Sequence, residues 1–376
     1  MRVVVCPDKF AGTLSAVEAA TAVEAGWRAA APRDDIRTMP LADGGPGFVD
    51  VLAAALPGNR VPVPVVDPLG RRVQAEFLLS GDTAYLESAQ ACGLHLLDAG
   101  ERDPNRTTSY GLGLLVFTAI ESGARRVVIG LGGSATNDCG AGMLAALDAA
   151  PVDEAGFALP YGGAALIGCA GLTGQPRVRA GVRLVAATDV DNPLTGLHGA
   201  SAVFGPQKGA SREDVMRLDA ALERFGGVLE TNLEGCPPGL AARPGAGAAG
   251  GLGAAIIALG GEVVSGLGLV RDAVGLDAAL DDADLVITGE GSFDHQSLRG
   301  KVVSGVAQAA RDRGLPCVVV AGRVSAGRRE AAAAGVTEAH ALIDEMGGVD
   351  AAMARPTEGL RKLGERLARQ WSTALG

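Results

Sequence analysis

The chain has 376 residues, 48% of them hydrophobic, and a formal net charge of −10. At roughly 150 residues per domain, this length predicts two or three domains with packed cores, and the hydrophobic share argues against disorder. The negative charge argues against a broad basic surface, so neither nucleic acid nor a membrane is expected as a partner.

The N-terminus begins directly with Arg2-Val3-Val4-Val5, without the segments of a signal peptide. No apolar run approaches the roughly 20 residues that cross a bilayer. The cysteines are scattered without a C-x-x-C pair, and with only four His this argues against structural zinc. We therefore expect a cytoplasmic protein whose thiols are reduced.

Predicted strands and helices alternate along the chain. Ser15 and Glu18 have capping-box spacing and predict a helix start, which an apolar repeat through Trp27 continues. An apolar stripe including Leu360 and Leu367 predicts a C-terminal helix. This alternation indicates an α/β protein. The predicted strands, each followed by Gly, Asp or Pro, lie at residues 3–6, 127–129, 184–187, 285–288 and 317–320.

A glycine-rich loop follows the predicted strand at 127–129. Glycines allow positive φ and close backbone approach, so several N–H groups can face one anion. Ser134, Thr136 and Asn137 add side-chain donors, and Asp138 could hold a cation or polarise a hydroxyl. A tight strand–helix turn is the alternative, and the spacing matches neither a Walker A motif nor a dinucleotide fingerprint. The loop reads Gly130-Leu131-Gly132-Gly133-Ser134-Ala135-Thr136-Asn137-Asp138-Cys139-Gly140-Ala141-Gly142.

Two further segments carry charges at places suited to chemistry. Asp189 and Asp191 follow the predicted strand at 184–187, where ligands bind in α/β sheets. They suit Mg²⁺ or a base for an alcohol nucleophile, although an Asp/Asn-Pro turn fits equally well. Lys208 lies in a constrained turn and could neutralise a phosphoryl group, although taken alone a solvated surface lysine is the favoured interpretation.

Other candidates lie nearer the chain ends. Glu290 and Asp294 flank a turn after the predicted strand at 285–288, with Gly300-Lys301 shortly beyond, which favours a ligand-binding loop. Charged residues that could hold a small anion also follow strand-like runs at Asp8, Lys9 and Asp43. A second glycine-rich segment, residues 244–253, either lines a site or allows close packing.

These segments, in this order, resemble the bacterial type I glycerate kinases nearly end to end. The resemblance implies ATP- and Mg²⁺-dependent phosphorylation of D-glycerate in glycerate/glyoxylate-type catabolism, commonly to 2-phosphoglycerate, although some members are described as forming the 3-phosphate. It implies a Rossmann-like parallel-sheet domain from residues 1–66 and 283–376, and an inserted α/β domain, residues 67–282, with the glycine-rich loops. The segments that carry it are Pro7-Asp8-Lys9-Phe10, Ala42-Asp43-Gly44-Gly45, Asp67-Pro68-Leu69-Gly70, Gly132-Gly133-Ser134-Ala135-Thr136-Asn137-Asp138, Asp189 with Asn192-Pro193-Leu194, Phe204-Gly205-Pro206-Gln207-Lys208-Gly209-Ala210, Pro244-Gly245-Ala246-Gly247-Ala248-Ala249-Gly250-Gly251, Gly289-Glu290-Gly291, and Asp294 with Gly300-Lys301.

The resemblance also implies roles for residues. Asp189 and Lys208 are the expected catalytic groups, and Asp189 and Asp294 the expected metal ligands. The chain departs from the family pattern where Cys139 replaces a glycine and Pro46 a glutamate. The expected substrate- and phosphate-binding residues are Asp8, Lys9, Asp43, Gly132, Gly133, Ser134, Thr136, Asn137, Asp138, Glu290 and Asp294.

The sequence leaves alternatives open. A kinase of another small hydroxy acid, or a glycerate 3-kinase, would share most of these residues. An NAD-linked oxidoreductase is a second class, against which the missing dinucleotide fingerprint argues. A non-catalytic sensor of organic acids is a third. A monomer and a homodimer are equally compatible with the sequence.

Overall fold

The computed structural model describes residues 1–298 and 302–372, which fall into two compact units. The first unit consists of Met1–Asp43, Asp50–Leu56 and the chain from Leu267 onward. The second unit consists of Gly44–Val49 and Pro57–Gly266. These divisions lie near residues 57 and 267, whereas the sequence places them at 66/67 and 282/283.

Strands and helices alternate through most of the chain, which confirms the α/β class. The strands are β1 (Arg2–Val5), β2 (Asp35–Thr38), β3 (Asn59–Val66), β4 (Arg72–Ser80), β5 (Thr83–Glu87), β6 (Arg126–Gly130), β7 (Pro151–Val152), β8 (Gly171–Leu172), β9 (Arg183–Ala187), β10 (Glu262–Val264), β11 (Leu285–Phe293), β12 (Cys317–Val324) and β13 (Glu338–Ala341). The α-helices are α1 (Ala16–Ala30), α2 (Phe48–Ala55), α3 (Ala89–Cys92), α4 (Tyr110–Glu121), α5 (Ala141–Ala146), α6 (Ala200–Phe204), α7 (Arg212–Asn232), α8 (Ala248–Ala258), α9 (Gly266–Val274), α10 (Leu276–Asp281), α11 (Val302–Asp312), α12 (Arg328–Ala333), α13 (Leu342–Met346), α14 (Val349–Ala354) and α15 (Pro356–Trp371). Short 3₁₀ turns lie at Leu94–Leu96, Ala99–Glu101, Gly163–Gly168, Pro206–Lys208 and Leu240–Ala242.

The sheet of the first unit is built from both ends of the chain. Its order is β13-β12-β11-β1-β2, and every pairing is parallel. Numbered within the unit, this is the doubly wound order 2-1-3-4-5, whose connections diverge between β1 and β11. Ligands of such sheets bind outside the carboxyl ends of the strands at this switch point.

Helices α1 and α15 cover the first sheet at the positions that the apolar stripes predict. Ser15 caps α1, with Glu18 N donating to Ser15 Oγ at 3.2 Å. Trp27 is fully buried, and the removal of its apolar surface from water stabilises the fold by roughly 2–3 kcal/mol. A Cβ at Gly26 would lie 1.9 Å from Arg361 O, so glycine permits the helices to touch backbone to backbone.

The sheet of the second unit has the order β10-β9-β6-β5-β4-β3. Strands from β10 to β5 pair in parallel, whereas β4 and β3 form an antiparallel hairpin edge. Because β3 pairs with β4, it belongs to this sheet rather than to the first. The apolar cluster around Phe77 and Leu112 covers this sheet, and a second cluster around Phe225 lies mainly among the helices α5 to α8.

The helices of the described chain include none that is both long and apolar enough to span a membrane.

Candidate active site

The parallel strands of the second unit end in register, at the same edge of the sheet. Glu87 of β5 lies opposite Gly130 of β6, Gly130 lies opposite Ala187 of β9, and Ala187 lies opposite Val264 of β10. The loops that follow these residues therefore begin at the same edge of the sheet. Two of them carry residues singled out from the sequence, the glycine-rich loop after β6 and Asp189 after β9.

The first glycines of the loop serve close packing. Gly132 N donates to Gly44 O at 3.0 Å, and a Cβ at Gly132 would lie 2.4 Å from Gly45 Cα. A Cβ at Gly133 would meet the Pro46 ring at 2.9 Å. These glycines are therefore required where Gly44–Val49 lies against the loop.

Asp138 anchors the loop from inside the protein. Its Oδ2 accepts hydrogen bonds from Ser109 N at 2.8 Å, Ser109 Oγ at 2.9 Å and Gly142 N at 3.1 Å. Its Oδ1 accepts from Gly140 N at 3.1 Å. Burial raises the pKa of the Asp138 carboxyl, while these hydrogen bonds act in the opposite direction. The carboxylate thus ties α4 and α5 to the loop, and the hydroxyl that it contacts is that of Ser109.

Between the glycines and this anchor, several loop N–H groups face no protein acceptor. Within residues 1–298 and 302–372, the backbone N–H groups of Gly133, Ser134, Thr136, Asn137 and Asp138 make no hydrogen bond. The side chain of Asn137 is fully buried, and its Oδ1 likewise makes no hydrogen bond there. Polar groups that are buried and unpaired are costly, so a ligand that pairs with them gains affinity.

Lys208 reaches the same loop from its turn. Its side chain is 2% exposed, and Nζ donates to Thr136 O at 2.7 Å and to Ser134 Oγ at 3.1 Å. It makes no ion pair with an acidic side chain of the described residues. Burial lowers the pKa of Lys208 to about 8, although the nearby Asp138 carboxylate acts in the opposite direction. The reading of Lys208 as a solvated surface lysine is therefore wrong.

The second glycine-rich segment packs against the first. A Cβ at Gly250 would lie 2.0 Å from Thr136 O, and one at Gly251 would lie 2.7 Å from Cys139 Cα. The segment interrupts α8 with positive φ at Ala249, Gly250 and Gly251. Of the two roles left open for residues 244–253, close packing is the one these contacts support.

Cys139 occupies a position suited to glycine. Its φ is +48°, a left-handed conformation that costs a residue with a side chain roughly 1–2 kcal/mol. Its side chain is fully buried in the cluster around Phe225. Burial and the nearby Asp138 raise the pKa of its thiol, so the sulfur is inert packing. The six cysteines, all within the described residues, are free.

Asp189 lies at the exposed end of β9. Ser265 Oγ donates to Asp189 Oδ1 at 2.6 Å, and Ser265 directly follows β10. A hydroxyl therefore orients a carboxylate that reaches solvent. Asn192, in the same turn, uses its Nδ2 to hold His198 O at 2.8 Å, so it is a turn residue.

In the first unit, the candidate residues gather at the switch point between β1 and β11. Asp8 N donates to Gly289 O at 2.8 Å, which brings Asp8 beside Glu290 of β11. Asp8 Oδ1 accepts from Lys9 N at 2.7 Å and lies 3.9 Å from Lys9 Nζ. Two carboxylates and an ammonium group thus share the place where this type of sheet binds ligands.

Asp294 and Asp43 differ in their surroundings. Asp294 Oδ1 accepts from Gln296 N at 2.7 Å and from Ser297 N at 3.2 Å, so this carboxylate caps the turn after β11. Asp43 is half-buried and precedes the glycine pair at 44 and 45. Gly300 and Lys301 lie outside the described residues.

The carboxylates of these sites fit Mg²⁺ only if the phosphate groups of a ligand complete its coordination. The described residues contain no group of three or more His, Cys, Asp or Glu that could hold a metal ion. Mg²⁺ commonly takes one or two carboxylates together with substrate phosphates and water. Glu290 and Asp294 in the first unit, and Asp189 in the second, carry carboxylate oxygens, which are the ligand type that Mg²⁺ prefers.

Sequence reasoning missed several partners of these groups. Glu87 is buried at the end of β5, and its Oε2 accepts from Gly47 N at 2.8 Å. Ser201 accepts a 2.9 Å hydrogen bond from Asn137 Nδ2. The sequence could have indicated Glu87, because it is a charged residue at the end of an otherwise apolar strand. The sequence gives no indication for Ser201 and Ser265, because their hydrogen-bond partners are 64 and 76 residues away in the chain.

Comparison with known proteins gives one consistent result. The model of the glycerate kinase family matches residues 3–372. The chain is 41% identical over 372 residues to the glycerate kinase of Halalkalibacterium halodurans, covering 97% of each chain. It is 44% identical over 333 residues to the glycerate 2-kinase of Escherichia coli K12, covering 86% of each. A crystal structure from Salmonella typhimurium LT2, provisionally named glycerate kinase 2, has a TM-score of 0.84 and 40% identity, covering 100% of this chain and 99% of the other.

Proposed function

The chain belongs to the glycerate kinase family, phosphotransferases with an alcohol group as acceptor, and from that premise we propose that it transfers the γ-phosphoryl group of ATP to D-glycerate. The proposed product is 2-phosphoglycerate, in line with the name of the Escherichia coli relative. The proposed acceptor site is the loop at residues 130–142 together with Lys208 and Asp189.

The observation that carries this proposal is the buried amino group of Lys208. A buried cation that makes no ion pair is costly, and an anionic substrate reduces that cost. The unpaired N–H groups of the loop favour the same charge, because backbone donors without an acceptor can bind an anion. Glycerate carries a carboxylate throughout the reaction, and its product carries a phosphate ester as well.

The reaction needs positioning and charge neutralisation more than covalent chemistry. Asp189 takes the proton of the attacking hydroxyl, and Ser265 holds its carboxylate in place. Lys208 offsets the negative charge that develops on the transferred group. Asp138 keeps the loop in shape through Ser109, Gly140 and Gly142.

The switch point of the first unit is proposed to serve the nucleotide. Lys9 would offset phosphate charge, and Glu290 and Asp294 would hold Mg²⁺ through their oxygens. When bound, Mg²⁺ neutralises the β- and γ-phosphates. Asp8 would keep Lys9 in position through the contacts at the end of β1.

The direct test is ADP formation by the purified protein with ATP and Mg²⁺. D-Glycerate should support turnover, whereas L-glycerate, lactate and glycolate, each changed at one feature of the acceptor, should support far less. Turnover with one of the other acids above that with D-glycerate would assign the protein to a different hydroxy acid. An ATP-independent change in nicotinamide absorbance would instead assign it to the oxidoreductases.

A further inference from the structure

Arg102 lies beside the turn that carries Lys208. A Cβ at Gly209, the residue after Lys208, would lie 2.2 Å from Arg102 O and 3.2 Å from Arg102 Cβ. Gly209 also has a φ of +100°, so glycine is needed here both for the conformation and for the close approach. The side chain of Arg102 therefore begins next to the turn from which Lys208 reaches the loop.

The segment that Arg102 begins, residues 102–108, also contacts the loop at residues 130–142. Thr107 is fully buried within this segment, and its Oγ1 donates to Ala135 O at 3.1 Å. The segment and both of its contacts lie within the second unit. Arg102 thus belongs to a short stretch of chain that touches both the loop and the lysine turn of the proposed acceptor site.

The backbone before Arg102 is held by a network of charged side chains. Arg71 Nη1 donates to Glu101 Oε1 at 2.7 Å, and Asp98 N donates to Glu101 Oε2 at 3.0 Å. Arg71 also pairs with the buried carboxylate of Asp67. Because the residue before Arg102 is already ordered, less conformational freedom is lost when the arginine binds a ligand.

The guanidinium of Arg102 has no acidic partner in the described part of the chain. Arg102 is exposed, and its side chain makes neither an ion pair nor a hydrogen bond with the described residues. The neighbouring carboxylates are engaged elsewhere, since Glu101 belongs to the network above and Asp103 Oδ1 accepts from Asn105 N at 3.0 Å. The guanidinium is therefore available to a carboxylate from outside the protein.

The acceptor carries a carboxylate to which the proposed function assigns no side chain. In that proposal Lys208 offsets the charge of the transferred group and Asp189 takes the hydroxyl proton, so the carboxylate still needs a cation. The planar fork of an arginine donates two parallel hydrogen bonds to the two oxygens of a carboxylate, which a lysine cannot do. Arg102 supplies such a fork beside the lysine turn.

We propose that Arg102 binds the carboxylate of the acceptor and so selects hydroxy acids over uncharged alcohols. This assignment rests on the proposed function and names the residue that recognises the acid group of the substrate. Because Arg102 is exposed whereas Lys208 is buried, the ion pair forms on the solvent side of the acceptor site. Added salt should therefore raise the KM for glycerate, since salt screens exposed charges.

The first test compares two arginines of one segment. Arg106 is also exposed and unpaired among the described residues, but it lies beside Gly162, where a Cβ would be 2.6 Å from Arg106 Cα. Arg102→Met should raise the KM for D-glycerate about 10- to 100-fold, as for a lost hydrogen bond to a charged group, and leave the KM for ATP unchanged. Arg106→Met should leave both constants unchanged.

Steady-state kinetics of ADP formation give these constants, and melting curves check that both variants fold as the wild type does. Because both arginines are exposed, no loss of stability is expected. The proposal is overturned by an unchanged KM for D-glycerate in Arg102→Met, or by an equal rise in Arg106→Met. A rise in the KM for ATP alone would overturn it as well, because the arginine would then serve the nucleotide.

The second test removes the charge from the substrate instead. D-Glyceramide keeps the hydroxyls of D-glycerate and has an uncharged amide in place of the carboxylate. Isothermal titration of the wild type should show tighter binding of the acid, and Arg102→Met should reduce that preference by about 10- to 100-fold. Arg102→Lys, which keeps the charge without the fork, should give an intermediate preference. The same preference in wild type and Arg102→Met would contradict the assignment.

These outcomes separate the two proposals. A protein that binds D-glycerate through Arg102 and yet transfers no phosphoryl group to it would uphold this site and remove the proposed function. A protein that phosphorylates D-glycerate with the same KM in wild type and Arg102→Met would do the reverse. A wild-type protein that neither binds nor phosphorylates D-glycerate would contradict both.

Discussion

Two aspartates at the carboxyl edge of the second sheet have opposite surroundings. Asp138 follows β6 and is 1% exposed, with donors from Ser109, Gly140 and Gly142 on its oxygens. Asp189 follows the neighbouring strand β9 and is exposed, with the Ser265 hydroxyl on Oδ1. The strands end in register, so topology does not distinguish them. Burial does, and from it we infer a structural role for Asp138, whereas for Asp189 we propose the catalytic role.

The substitution Asp189→Asn tests the difference between the two aspartates with the largest expected effect. The amide keeps the shape but cannot accept the hydroxyl proton, so turnover should fall by roughly 10²- to 10⁴-fold, as for loss of a general base. Because Asp189 is exposed, the midpoint of thermal unfolding should hardly move. Steady-state kinetics and a melting curve measure both quantities. Near-normal turnover would remove Asp189 from the catalytic role.

Asp138→Ala should show the converse pattern. Its removal leaves buried donors on Ser109, Gly140 and Gly142 without an acceptor, so the free energy of unfolding should drop by about 3 kcal/mol or more. Urea unfolding provides the measurement, and Asp191→Ala, at an exposed carboxylate of the β9 turn, provides the control. A loss of less than about 0.5 kcal/mol, the usual size of a surface change, would show that Asp138 is not an anchor.

Lys208 extends the comparison to a buried cation. Its pKa of about 8 lies below the ordinary 10.5, so between these values the unfolded chain binds more protons than the native one. The free energy of unfolding should therefore rise with pH from 8 to 10.5, by up to about 3 kcal/mol relative to Lys208→Met. Lys362→Met, at an exposed ion pair, controls for the lost charge. A pH-independent difference between wild type and Lys208→Met would contradict the burial argument.

The smallest expected effect concerns Cys139. Cys139→Gly relieves a positive φ but loses a buried side chain, so the free energy of unfolding should change by less than about 1 kcal/mol. Cys139→Val, which is β-branched, should lose about 2 kcal/mol or more at the same φ. Urea unfolding of the pair decides. Equal stabilities would show that backbone strain at this residue is negligible.

The sequence predicts the parts of the fold that obey a strong local pattern. The strands near residues 3–6, 127–129, 184–187, 285–288 and 317–320 are present, because continuous β-branched runs mark strands covered on both faces. The edge strands β2 and β13 read Asp-Ile-Arg-Thr and Glu-Ala-His-Ala, and such short polar runs give no periodic signal.

The site is less predictable, because the same residue types serve two purposes. Glycine is needed both where N–H groups meet an anion and where two backbones touch, and Gly132 and Gly250 serve the second purpose. Lysine is almost never fully buried, so the enclosed Nζ of Lys208 could not be foreseen. Asp138 became an anchor through Ser109, 29 residues away, a contact that no local spacing indicates.

The product that the wild-type protein forms decides whether it is a glycerate kinase and which hydroxyl it phosphorylates. The protein is incubated with ATP, Mg²⁺ and D-glycerate, and the mixture is followed by phosphorus NMR. We expect the γ-phosphate signal of ATP to decay while the signal of 2-phosphoglycerate grows in equal amount. A 3-phosphoglycerate signal would contradict the proposed regiochemistry, and the absence of any phosphoglycerate would contradict the proposed function.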